Sequence, residues 1–328
     1  FGEGNMKKLC LWLFRLFLVA TLVGCSGGGG GGGCGLTTNL FIDWSSVDPP
    51  ENVAINGISQ DAEYSKDLEN PPFGITEITD NKGVSIDTDP TPTVRIRYRA
   101  NGTIERIEVV TPHVALTWNE ANDDIITDSD PLVIAETAEG STLSAVGVLY
   151  NPLESSAEAW EYQTFGAWAT DSGLGSGDIG AISVGTPTPD DTLLLLELPG
   201  AVDVTFTGQT AGIYVDSSGT GYRTQGELSM EVNFFDKSLD LSTTNTLKTD
   251  LETDVTTPGP EIGGILEYVS GDNSFTGTVT GPGLIGNSTG QFYGPAAQEL
   301  GGVFSLSGAS SPEYYSGAYG AAVQPSVP

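Results

Sequence analysis

Residues 291–306 read QFYGPAAQELGGVFSL, a strand-like run broken once and then resumed. Phe292 and Tyr293 end a strand-like run, Gly294-Pro295 breaks it, and Gly301-Gly302 leads into a second strand at residues 303–306. Proline suits a first helical position, where its missing N–H costs nothing, and Gly301 suits a terminator. Residues 295–300 are therefore expected to make one short turn of helix between two strands. The flanking glycines permit close backbone approach, and Phe292 and Phe304 are expected to bury their rings.

Almost everything after residue 36 reads as strand and turn. Residues 94–99, VRIRYR, alternate strictly; Asn101-Gly102 supplies a hairpin turn, and residues 104–110 return. Val202, Val204 and Phe206 alternate with Asp203, Thr205 and Thr207, as do Leu228, Met230, Val232 and Phe234 with Ser229, Glu231 and Asn233. Period two with frequent turn signals predicts antiparallel sheet with one buried and one wet face. Composition shifts near residue 160, from long polar loops to short strands rich in Thr, Gly and aromatics. Two β domains are expected, at 36–159 and 160–309, followed by a tail at 310–328. The second is read as a closed barrel, since closure removes the edges that many short strands would leave.

The N-terminal region carries a different signal. Met6-Lys7-Lys8 opens a basic segment, and the apolar run that follows is interrupted by Arg15, so residues 6–24 read as a secretion signal and not a membrane span. Residues 1–5 then read as upstream read-through. Leu22-Val23-Gly24-Cys25 resembles a bacterial lipobox, which makes Cys25 the expected lipid anchor. Ser26, in place of Asp, favours the outer membrane. Residues 25–35 form a tether whose glycines, Gly27 to Gly33, give a flexible reach of roughly 15–20 Å. The three cysteines are Cys10, Cys25 and Cys34, so no internal disulfide is expected and stability must come from a packed core.

The 328 residues carry a formal net charge of −31 at pH 7. Loss of Lys7, Lys8, Arg15 and Glu3 with the leader would take this to −33. Such a surface repels phosphate backbones and anionic headgroups, which excludes nucleic acid as a partner.

The second half resembles the β-barrel domain of the transferrin-binding protein B family of lipid-anchored surface proteins. The resemblance rests on Phe165-Gly166-Ala167-Trp168, similar to the strand that opens such barrels, on Gly185-Thr186-Pro187-Thr188-Pro189, on the Thr/Gly hairpin of residues 201–222, and on the closing motif. That motif contains Gly290, Phe292, Tyr293, Gly294, Glu299, Gly301, Gly302 and Phe304, and the family makes it architectural. The resemblance implies an all-β chain with an N-terminal handle-like domain followed by an antiparallel eight-stranded-type barrel. It also implies a surface binder of a protein or small solute, in iron or haem acquisition beside an outer-membrane transporter. The chain has room for one handle-barrel lobe where the family's larger members have two. A structural or adhesive lipoprotein without a discrete ligand is the alternative reading.

Chemical motifs are few, and no catalytic residue, metal site or cofactor is assigned. Residues 175–180 fit G-x-G-x-x-G but lead into a strand, so a turn is expected and not a dinucleotide site. His113, the single histidine, stands opposite Val114, Leu116 and Trp118; it is an exposed strand residue or a haem or metal ligand. Residues 122–130 are acidic but lack the glycine and distal Glu of a calcium loop. Arg95, Arg97 and Arg99 share one face of a strand, a stripe either neutralised by carboxylates or open to an anionic group.

Overall fold

The computed structural model describes residues 38–69, 74–129, 132–139, 141, 143–151, 153, 160–198, 203–309 and 312–323. The expected leader, the expected lipid anchor at Cys25 and the expected tether lie outside the described residues.

The fold is all-β, in two sheets. The first contains β1 (Thr38–Leu40), β2 (Asn52–Lys66), β3 (Ile75–Ser85), β4 (Thr93–Tyr98), β5 (Ile104–Val110), β6 (Ala115–Asn119), β7 (Ile125–Ser129), β8 (Leu132–Glu136), β9 (Ser144–Tyr150), β10 (Gln163–Asp171) and β11 (Ser176–Gly185). Its order is β6-β5-β4-β2-β11-β10-β9-β8-β7, with β1 and β3 added to β2, and its end strands β6 and β7 approach one another so that the sheet nearly closes. The expected hairpin is β4–β5, and Gly102 at φ +85° makes its turn. Ile55, Ile96, Tyr98, Trp118 and Trp168 fill the concave side of this handle-like sheet.

The second sheet is a closed barrel. Strands β12 (Val204–Val215), β13 (Gly221–Asn233), β14 (Ser238–Asp250), β16 (Gly263–Tyr268), β17 (Ser274–Gly281), β18 (Leu284–Tyr293), β19 (Glu299–Gly308) and β20 (Tyr314–Val323) form an antiparallel ring that β13–β14 pairing closes, and β15 (Thr256–Pro258) flanks β14. Alternation sends Phe206, Met230, Leu241, Phe275, Phe304 and Tyr319 inward, where all are essentially inaccessible. The lumen is a packed core.

A third apolar layer joins the sheets. Ile58, Phe165, Ile179 and Ala181 of the handle-like sheet pack with Ile213, Val303, Tyr314 and Ala318 of the barrel wall. Strands in this layer are therefore covered on both faces, and two expectations change for that reason. Phe165 to Trp168, read as the opening of the barrel, lies in β10, which pairs with β9 and β11 in the first sheet. Residues 314–323, read as tail, are β20, which pairs with β12 and β19 and completes the ring. With both faces buried, neither segment shows the alternation that marks a half-exposed strand.

The helical turn expected at 295–300 does not form. Gly294 at φ +84° and Ala297 at φ +54° make an irregular turn, and Glu299 already belongs to β19. What the break accomplishes is docking. Residues 186–189 run beside it: Gly294 N–H donates to Thr186 O at 2.9 Å, Thr188 N–H to Phe292 O at 2.9 Å, and Thr188 Oγ1 to Gly294 O at 2.7 Å. At the far side of the turn the buried Glu299 carboxylate accepts the backbone N–H of Glu161 and, at 3.0 Å, that of Tyr162. Gln163 Nε2 adds bonds to Leu300 O at 2.7 Å and Ala321 O at 3.2 Å. Gly301 lacks a Cβ where Gln163 Oε1 and Ser183 Oγ press against it, so this glycine of the motif makes room for the other sheet.

Burial pushes the Glu299 carboxyl up to about 8, against the lowering effect of the backbone N–H bonds. The folded chain thus holds a proton that the unfolded chain releases above the ordinary carboxylate range. Stability from this group is present at low pH and lost as pH rises from about 4.5 to about 8. Glu299→Gln keeps an accepting oxygen and removes the titration. In chemical denaturation across that range the variant is expected to show a flatter pH dependence than wild type, the difference being on the order of 3–5 kcal/mol across the window; parallel profiles would exclude Glu299 as the linked group.

Candidate functional site

One end of the barrel is built differently from the rest. The chain enters it through α1 (Asp190–Leu196). Pro189 precedes the helix in an extended conformation, and Asp190 and Asp191 occupy the first turn, where negative charge complements the free N–H groups. Leu193 is fully buried and joins the barrel core that includes Phe234, Tyr268, Phe292 and Ala297. The helix lies across the mouth: Thr192 Oγ1 reaches Pro295 O at 3.4 Å, and the Glu197 carboxylate accepts the Ser270 hydroxyl and, at 3.1 Å, the Gly271 N–H. Tyr268 N–H donates to Lys237 O at 3.2 Å, which fixes the β13–β14 and β16–β17 hairpins side by side.

Because one helix face plugs the barrel, its other face meets solvent. Leu194, Leu195 and Leu198 are 50%, 66% and 59% exposed, and the hairpin tips add Phe235 at 49% and Val269 at 71%. Leu194 sits against Gly271, so helix and hairpin form one surface. Asp190, Asp191, Glu197, Asp236 and Asp272 belong to the same segments, with Lys237 as their one cation. Large apolar side chains held on fixed turns and bordered by charge are what a protein-docking surface requires. The sequence signal was the run Leu193 to Leu196 with Leu198, which period two cannot explain and a capping helix does.

The other sequence-derived candidates resolve as follows. Arg95 pairs with Glu108 at 3.4 Å, Arg97 with Glu105 at 3.3 Å, Arg99 with Glu120, and Arg106 with Glu108. The stripe is a ladder of internal ion pairs across β4, β5 and the segment after β6. His113 is exposed in the turn between β5 and β6, and among the described residues no hydroxyl is hydrogen-bonded to its ring. Beneath it burial pushes the Asp61 carboxyl up to about 6, opposed by a bond from Thr111 and by His113. Asp124 of the acidic loop accepts the N–H groups of Asn119 at 2.8 Å and Ala138 at 2.9 Å, a loop-fixing role. Residues 175–180 belong to the β10–β11 hairpin, where Gly173 and Gly175 have positive φ. Among the described residues no group of three His, Cys, Asp or Glu is placed to hold a metal ion. Of the closing motif, Phe292, Tyr293 and Phe304 are buried, and Gly290 and Gly302 lie against Phe275 and Tyr319.

Comparison with known proteins places the second sheet. Residues 198–323 match the family model described as C-lobe and N-lobe beta barrels of Tf-binding protein B. Among curated proteins none matches. Among solved structures, HpuA from Kingella denitrificans, in complex with human haemoglobin, is similar at 16% identity, covering 89% of this chain and 95% of that one with a TM-score of 0.44. A transferrin binding protein B double mutant from Haemophilus parasuis shares 13% identity over 84% of this chain and 76% of its own, with a TM-score of 0.38. The isotype 1 protein from serogroup B Neisseria meningitidis shares 14% over 84% and 77%, with a TM-score of 0.36.

The two faces of α1 should separate in mutagenesis. Leu193→Ala, which opens a void in the barrel plug, is expected to cost about 2–4 kcal/mol in denaturant unfolding. Leu195→Ala should stay within about 0.5 kcal/mol of wild type. Equal losses at both positions would mean that the outer face is also structural.

Proposed function

We propose that the chain is a surface-anchored bacterial lipoprotein, held through Cys25 at the outer membrane, that binds a protein in iron or haem acquisition beside an outer-membrane transporter. The observation that carries binding is the apolar barrel end of Leu194, Leu195, Leu198, Phe235 and Val269. A structural or adhesive protein without a discrete ligand gives no reason to hold five such side chains at one end of a packed barrel. The filled lumen argues against a solute carried inside and favours a macromolecular partner docked outside. The match of residues 198–323 to transferrin-binding barrels supports the nutrient-capture setting.

The mechanism follows from rigidity. Preformed turns on a packed barrel dock a partner without the ordering cost that a mobile loop would bear. The acidic segments around the patch suit a partner whose contact region is apolar and bordered by basic residues, and they speed encounter at low ionic strength. A glycine tether then lets the captured protein reach a neighbouring transporter by raising its local concentration. No catalytic role is assigned to any residue.

The test is capture from host serum and growth medium by immobilised protein, with mass spectrometry and haem absorbance of what is retained. Wild type is expected to retain a specific iron-carrying or haem-containing protein. Leu195→Asp combined with Val269→Asp should lower capture at least about tenfold, as loss of central apolar anchors does, while Arg97→Gln leaves it unchanged. A blank across media, or capture indifferent to the double substitution, would overturn the proposal.

A further inference from the structure

A second surface lies away from the barrel end, on the half of β13 remote from the Phe235 hairpin. There the two sheets, in contact through the third apolar layer, splay apart and leave a cleft of about 550 Å³. That volume falls within the roughly 300–1,000 Å³ usual for ligand pockets, which favour such boundaries between packed units. Its two walls differ in chemistry. The handle-like sheet contributes Leu132, Ile134 and Val148; the barrel contributes Arg223, Gln225 and Glu227 of β13, with Gln209 and Asn245 from its neighbours.

Both walls are strands, and this constrains the occupant. Leu132 and Ile134 are alternate residues of β8, and Arg223, Gln225 and Glu227 are alternate residues of β13, so each wall repeats every roughly 6.6–6.8 Å. A peptide in extended conformation has that same repeat on each of its own two faces. Laid along the cleft, it places alternate side chains against the aliphatic wall and the others against the polar wall. The amides of Gln209 and Gln225 have no protein partner among the described residues, and each offers both a donor and an acceptor to a peptide backbone.

The polar wall also specifies charge. Arg223 is engaged by Asp254 at 3.1 Å, whereas among the described residues Glu227 meets only the Asn245 amide, at 2.9 Å. A β-bulge holds that pair in place: Gln225 faces Leu247 but Glu227 faces Thr244, so Gly226 stands opposite both Asn245 and Thr246, with Asn245 at φ +53°. Bulges re-aim side chains in this way. This carboxylate, which has no cationic partner among the described residues, selects a cation in a chain of net charge −31.

We infer that this cleft binds an extended peptide of four to five residues with aliphatic side chains on one face and a basic residue on the other, opposite Glu227. The inference does not depend on the function proposed for the barrel end.

The test is fluorescence anisotropy with a dye-labelled, C-terminally amidated pentapeptide of alternating valine and lysine, titrated with the protein. Saturable binding is expected, weakened about tenfold by Glu227→Lys, an exposed substitution that removes the charge partner. A scrambled peptide with adjacent lysines should bind about tenfold more weakly, since it breaks the repeat. Leu195→Asp should leave the affinity unchanged. The inference fails if neither peptide saturates, if both bind alike, if Glu227→Lys has no effect, or if a neutral oligosaccharide displaces the peptide from wild type.

Discussion

The structure depends on the burial of one sheet face against a barrel wall. Ile58, Phe165, Ile179 and Ala181 meet Ile213, Val303, Tyr314 and Ala318, and burying two apolar surfaces against each other is favourable in itself. Such a contact slides unless something directional sets its register. Here that is done by polar groups at its margin: the Glu299 carboxylate under the N–H groups of Glu161 and Tyr162, the Gln163 amide on Leu300 and Ala321, and the Tyr293 and Ser183 hydroxyls 3.1 Å apart. Buried polar groups satisfied in this way define one arrangement among the many that area alone would allow.

How much of this was legible in the sequence follows from how many faces each strand buries. Strands with one wet face, such as β4, β5 and β13, carried their alternation openly. β10, β11 and β20 did not, because small and apolar residues serve on both sides. Residues 314–323 look like a Gly/Ala/Tyr tail for that reason, yet they close the barrel. The motif around Gly294 was recognisable as a necessary break, but its purpose was not, since the partner segment of residues 186–189 lies more than a hundred positions earlier.

The candidate surfaces were less legible still. A stripe of three arginines drew notice because alternation aligns them, and the matching carboxylates on β5 and after β6 were invisible without pairing register. The barrel-end patch needed the opposite inference: nothing in the run Leu193 to Leu196 marks which side chains face the core, and the helix buries only Leu193 and part of Leu196. Sequence showed apolar residues; only the closed ring decided which of them could go inside.

The arrangement at that end also constrains how the protein can change over generations. Leu193 is buried and Leu194 exposed; Phe234 is buried and Phe235 exposed; Tyr268 is buried and Val269 exposed. In these three pairs the surface side chain directly follows a core one in the chain. Exchanging the outer residue for another leaves the plug intact, so the surface is free to diversify by replacement. Inserting or deleting a single residue would swap the two roles, drive a core ring outward and open the barrel. Substitution can therefore rewrite the chemistry of this face, whereas a change in the length of these segments cannot leave the plug intact.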